Sequence, residues 1–278
     1  MRKKTRQLVW VLWLFAAPVT SAIAQDNMNP YWADLNEDGV VDVADIATVI
    51  SVMTRGEIQD LSPKDVQAID MGFPSGTMWA NMNVGAKKPE DYGLFFAWAE
   101  TTGYGSNTND GRIFEWAAYK WVKEGKTSGY HTYKYQLNDS NTKACWFSQG
   151  NFIGDGIPML NAEDDAATAN WGTKWRIPTY YEMEELLEYC TKEWVERNGV
   201  NGMVFTSIIN GNSIFLPAAG YRVKDRLDFQ KEGGNYWTCT LRPTNCLYAG
   251  TLVFADSDAL MYYNGRLNGR SVRAVIKK

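Results

Sequence analysis

The stretch D-L-N-E-D-G-V-V-D-V-A-D at residues 34–45 leaves its backbone few options. Asp34, Asn36, Asp38, Asp42 and Asp45 stand at positions 1, 3, 5, 9 and 12 of a twelve-residue loop, and Val40 at position 7 offers its carbonyl. Gly39 occupies position 6, where the chain turns sharply and a Cβ would clash. Oxygen donors aimed at one point repel one another unless a cation neutralises them, so Ca²⁺ is the expected cofactor. Ile46, Val49, Ile50 and Met53 follow at helical spacing, predicting a short amphipathic helix that stops at Gly56.

This EF-hand-like loop-helix, with Asp at position 12, resembles one repeat of a type I dockerin. The resemblance implies a dockerin-like calcium-binding module over residues 25–60 and a cohesin-like partner. Dockerins normally carry two such repeats, and this chain shows one.

Upstream, Arg2, Lys3, Lys4 and Arg6 precede an apolar run at 8–17, and Ala22-Ile23-Ala24 forms a small-x-small cleavage site. Residues 1–24 therefore read as a signal peptide, and the mature chain is expected to be exported to the periplasm, the cell surface or beyond. The apolar run is too short to span a bilayer and Pro18 interrupts it, so no retained transmembrane helix is expected. A net charge of −4 without a basic cluster argues against nucleic acid as a partner. Of the four cysteines, Cys145, Cys190, Cys239 and Cys246, none belongs to a C-x-x-C or Cys/His cluster, so zinc is not indicated. Cys239 and Cys246 can pair across a hairpin or remain thiols.

After a linker at 61–65, the composition from Val66 onward turns rich in Gly, Trp and Tyr. Thr179 followed by Glu182 is a capping box, and Met183, Leu186, Leu187 and Cys190 continue at helical spacing. A helix of about three turns is expected there, with Cys190 as a buried thiol and Trp194 closing the apolar face. Short strand-like runs lie at 202–206, 213–217, 236–240, 249–254, 260–263 and 271–276. Residues 101–170 read as loops. Few helices, many short strands and long polar loops predict an α+β fold. Most of the 12 tryptophans are expected in the core and some late tyrosines at the surface.

Several separated motifs occur in order: A-I-D-M-G-F-P-S-G-T-M-W at 68–79, N-V-G-A-K-K-P-E-D-Y-G-L-F-F-A-W at 83–98, W-G-T-K-W-R-I-P-T-Y-Y-E-M-E-E-L-L at 171–187, S-I-F-L-P-A-A-G-Y-R at 213–222, N-Y-W at 235–237 and G-R-S-V-R-A-V at 269–275. Together they resemble the Fibrobacter succinogenes major paralogous domain, a family related to the C-type-lectin-like fold. The resemblance covers residues 66–278 and implies a lectin-like mixed domain that meets its ligand with late strands and loops. The corresponding positions are Arg242, Tyr248, Asp256, Tyr262, Tyr263, Asn264 and Arg266. Strand alternation places Leu260 and Tyr262 on one face, Met261 and Tyr263 on the other.

Catalytic constellations are sparse. His131 is the only histidine, which leaves a Ser- or Cys-based nucleophile without an obvious base. Glu182 reads as a cap, Glu184 and Glu185 lie on the polar helix face, and Asp164-Asp165 sits in a polar loop. The T-C-T and N-C-L contexts of Cys239 and Cys246 do not match the formylglycine-generating enzymes, which are similar to the same fold. The expectation is a secreted or cell-surface, non-catalytic protein that binds a glycan or protein ligand. The alternatives are an assembly component docked through its calcium module, and an accessory or divergent enzyme of polysaccharide breakdown.

Overall fold

The computed structural model describes residues 60–139 and 146–278. The signal-like segment, the calcium-loop residues Asp34, Asn36, Asp38, Val40, Asp42 and Asp45, and Cys145 lie outside these. Residues 57–278 form one compact unit.

The elements in chain order are β1 (Ala68–Asp70), β2 (Thr77–Ala80), β3 (Phe95–Phe96), β4 (Phe147–Ser148), β5 (Asn151–Phe152), α1 (Ala166–Trp171) and α2 (Tyr180–Glu188). There follow β6 (Cys190–Arg197), β7 (Val200–Ser207), β8 (Ser213–Pro217), β9 (Tyr221–Val223), β10 (Arg226–Asp228), β11 (Gly233–Leu241), β12 (Tyr248–Ala255), β13 (Ala259–Gly265), β14 (Arg270–Ser271) and β15 (Val275–Lys277). Among the described residues the fold is thus mostly strands with two short α-helices, as the punctuated pattern predicts.

A five-stranded sheet in the order β13-β12-β11-β14-β3 forms the centre. Its pairs are antiparallel except β11 with β14. Alternation on β11 sends Tyr236 and Trp237 to opposite faces, and each seeds a separate core. Tyr236 packs with Trp79, Met183, Leu186, Phe205, Leu216, Leu252 and Phe254. Trp237 packs with Trp98, Trp121, Tyr135, Trp171 and Trp175. The segment read as loops adds Phe114, Tyr119, Trp121, Val122 and Tyr135 to the second core, and its chain bends through short 3-10 turns at Thr108–Asp110, Trp116–Ala118, Gly129–His131 and Ala162–Asp164. The antiparallel sheet β1-β2-β15 joins the start of the domain to its end.

The meander β6-β7-β8 begins with the two-residue turn Asn198-Gly199, both at positive φ (51° and 79°), which matches the twist of the flanking strands. This meander corrects the expected helix length. The capping box forms as predicted, with Glu182 N–H donating to Thr179 Oγ1 (3.2 Å) and Thr179 N–H to Glu182 Oε2 (2.7 Å). But α2 ends at Glu188, and Cys190 opens β6 opposite Ser207. Thr191, Trp194 and Val195 suit a strand, and pairing with β7 outweighs one more helical turn. Cys190 is buried as expected, and Trp194 does pack against the core of α2.

The segment read as a linker is tied down: Leu61 N–H donates to Trp171 O (2.8 Å). Asp60 accepts from Lys174 Nζ (3.0 Å) and Trp175 Nε1 (3.2 Å).

Candidate functional site

Two backbone anchors place the start of α2 on β11. Cys239 N–H donates to Pro178 O (2.8 Å), and Tyr180 N–H to Thr240 Oγ1 (3.0 Å). The helix therefore opens beside the β12–β13 hairpin. Gly250 on β12 pairs with Tyr263 on β13. A Cβ at Gly250 would lie 2.6 Å from Tyr180 Cδ2, so only glycine lets the Tyr180 ring settle onto the strand. There Tyr180 stacks on Tyr263, with centroids 5.2 Å apart and planes 14° from parallel. Tyr181 meets Tyr180 edge to face at 6.4 Å.

The Arg242 guanidinium lies 5.3 Å from the Tyr263 ring centroid and 5.9 Å from that of Tyr248. The result is a rail in the order Tyr181, Tyr180, Tyr263, Arg242, Tyr248 along the outer strands. Tyr181 is 77 % exposed, Tyr248 36 %, and the members between them are half-buried. Burial, followed by Tyr263 and Glu184, pushes the Tyr180 hydroxyl up to about 12, so it stays protonated. The rail offers ring faces and a cation at low conformational cost. Beyond Tyr181 opens a cleft of ≈ 240 Å³ lined by Glu184, Glu185, Glu188 and Tyr189 among others.

The expected ligand residues divide among four places. Arg242, Tyr248 and Tyr263 meet in the rail. Tyr262 and Asn264 point from the opposite face of the sheet, as alternation requires, and Tyr262 is 58 % exposed beside exposed Leu260. Asn264 Nδ2 donates to Thr251 Oγ1 (2.9 Å). Asp256 is exposed in the turn closing the hairpin, about 20 Å along β12 from Gly250 at the usual rise per residue. Arg266 is a correction: it is fully buried, and its guanidinium donates to the carbonyls of Tyr135 (2.7 Å), Cys246 (2.9 Å) and Lys134 (3.1 Å). A guanidinium satisfied by carbonyls stitches strand to loop and meets no solvent. Tyr180, Tyr181 and Gly250 escaped the sequence reading. The usable signal was a lone glycine inside a strand pattern, which marks a close approach.

The remaining reactive groups serve the scaffold. Asp164, read as a polar-loop residue, is buried and accepts from Lys134 Nζ (2.6 Å), Lys120 Nζ (3.2 Å) and Tyr135 OH (2.7 Å). Asp165 is buried too, and accepts from the N–H groups of Ala167 (2.8 Å), Thr168 (3.0 Å) and Ile177 (2.8 Å). Glu182 takes a bidentate pair from Arg176 (2.5 and 2.7 Å) and a bond from Thr77 Oγ1 (2.5 Å). His131 is exposed. The Cys239–Cys246 bridge does not form: Cys239 is a free thiol that burial pushes up to about 12. The Cys246 thiol instead donates to Asp139 (2.6 Å).

Among the described residues, no group of three or more His, Cys, Asp or Glu side chains converges as metal ligands, and no helix is long and apolar enough to cross a membrane. No protein-family model, curated protein or solved structure matches the chain.

Proposed function

We propose that this is an exported, non-catalytic binding protein that recognises a glycan with the tyrosine–arginine rail of its C-terminal unit. The observation that carries the reading is the Tyr181–Tyr180–Tyr263–Arg242–Tyr248 series, partly open to solvent and set on the start of α2 and the adjoining strands. Flat aromatic faces accept the C–H faces of sugar rings, and tyrosine hydroxyls and guanidinium N–H groups supply donors. Resemblance to the Fibrobacter succinogenes major paralogous domain supports a lectin-like role, as does the share of the rail that Arg242, Tyr248 and Tyr263 supply from the late strands and their turn. The commitment of Asp164, Asp165 and Glu182 to structural bonds supports binding over hydrolysis, which needs two carboxyl groups facing each other across a substrate.

The sequence at 34–53 favours a second role beside this one: a calcium-loaded, dockerin-like loop-helix that docks the protein to a cohesin-like partner.

The test is a glycan array probed with the full mature chain, with and without calcium, followed by titration of the hits. Tyr263→Ala is expected to weaken binding at least tenfold, and Tyr262→Ala, on the far face, less than twofold. Equal binding by wild type and Tyr263→Ala, with the fold intact by circular dichroism, would remove the rail from the function.

A further inference from the structure

We infer that the saccharide on this rail carries a carboxylate, as in a uronic acid, and that Arg242 receives it. The inference rests on the glycan reading above and adds the ligand's charge and orientation.

Arg242 is held like a receptor group. Its guanidinium lies within 6 Å of both the Tyr263 and the Tyr248 ring centroids (5.3 and 5.9 Å), and its Nε donates to Thr244 Oγ1 (3.2 Å), which sets the plane of the fork. Both terminal nitrogens make no hydrogen bond to the described residues, and no described carboxylate pairs with them. Several other arginines are spent. Arg112, Arg176 and Arg222 hold Glu100, Glu182 and Asp110, and Arg273 is satisfied by the carbonyls of Ala80 and Phe215. Arg242 thus keeps an oriented, half-buried fork with unspent donors beside apolar ring faces. A planar carboxylate matches such a fork with two parallel hydrogen bonds, and the low-dielectric rings strengthen them.

The opposite end of the rail has the opposite sign. Glu184, Glu185 and Glu188 line the cleft beyond Tyr181. An acidic sugar is therefore repelled there and drawn to Arg242, which gives the bound chain a direction. The whole protein carries a net charge of −4, so attraction to an anion must come from this local fork and not from the overall field.

The experiment uses the full mature protein and titrates matched pairs: oligogalacturonate and oligomannuronate, each as free acid and as methyl ester, beside a neutral galactan oligosaccharide and its sulfated form. At least one free acid is expected to bind about tenfold to a hundredfold more tightly than its ester, the worth of one charged bidentate contact. Arg242→Gln should abolish that difference, weakening the acid far more than the ester. Arg242→Lys, which keeps the charge without the fork, should restore only part of it. Three results overturn the inference: equal binding of acid and ester, tighter binding of the sulfated sugar than of every uronate, or an acid preference that survives Arg242→Gln. If the first occurs while Tyr263→Ala still abolishes binding, the glycan platform stands and only the carboxylate falls. If no sugar of either set or of the array binds wild type, both readings fall together.

Discussion

Gly250 holds the Tyr180 ring against the sheet by what it lacks. An added methyl would sit 2.5 Å from Thr238 Oγ1 and 2.6 Å from Tyr180 Cδ2, both too close to keep. Gly250→Ala is expected to cost about 1–3 kcal/mol in urea titrations and to loosen the stack on Tyr263. Gly105→Ala, whose new methyl would have no neighbour nearer than 4.0 Å, is the matched control and should cost little. Two carboxyl groups give stability a pH signature. Arg176, Thr77 and Thr179 outweigh burial and hold Glu182 at about 2, below its ordinary 4.5. Its contribution, on the order of 3 kcal/mol, is present above pH 4.5 and lost as pH falls towards 2. Burial dominates at Asp165 and pushes it up to about 6 from 3.8, against three N–H bonds that pull it down. That group favours folding fully below pH 3.8, and the gain is lost as pH rises through 6. Denaturant midpoints should therefore peak near pH 4, where the two windows overlap. Glu182→Gln should lower the midpoint at neutral pH and flatten the acid limb; an unchanged acid limb would show that Glu182 does not set it.

At the scale of elements, caps do more than stop fraying. Asp165 caps α1 and also takes the buried Ile177 N–H on the strand-like segment after it, so one carboxylate fixes both the helix and the chain's return path. Asp165→Ala removes the cap and strands a buried donor, an expected loss of about 2–4 kcal/mol by chemical denaturation. Asp165→Ser should recover the cap portion alone. Much of the secondary structure was legible from local pattern. The run 213–217 is β8 residue for residue, and β7, β11, β12 and β13 each extend the expected strands by a few positions. The capping box at Thr179 and Glu182 was plain because its chemistry is local. The third turn of α2 was misread because Cys190 fits either period, and only its partner strand β7 decides between them.

For the whole molecule, the chain divides at residue 57, and the proposed calcium loop lies in the first unit. Asp34→Ala or Asp45→Ala should abolish calcium binding in calorimetry, while chelation leaves the unfolding transition of residues 57–278 unchanged. One cooperative transition that shifts with chelator would show the two parts to be coupled. The large unit is held by long-range ties. Arg266 joins the end of β13 to loops more than 100 residues earlier, and Arg273 links Ala80 and Phe215. Nothing local distinguishes these buried arginines from half-buried Arg242, which is why Arg266 was expected at the surface.

Short-range physics suffices for what the chain declares on its own: a reciprocal cap, and the two-residue period that parts Tyr262 from Tyr263. Which arginine is spent on carbonyls and which stays open, and that Tyr180 crosses from a helix to stack on a strand, depend on groups brought together from distant positions. Burial and hydrogen-bond satisfaction are properties of that assembled neighbourhood, so only the tertiary structure could decide them.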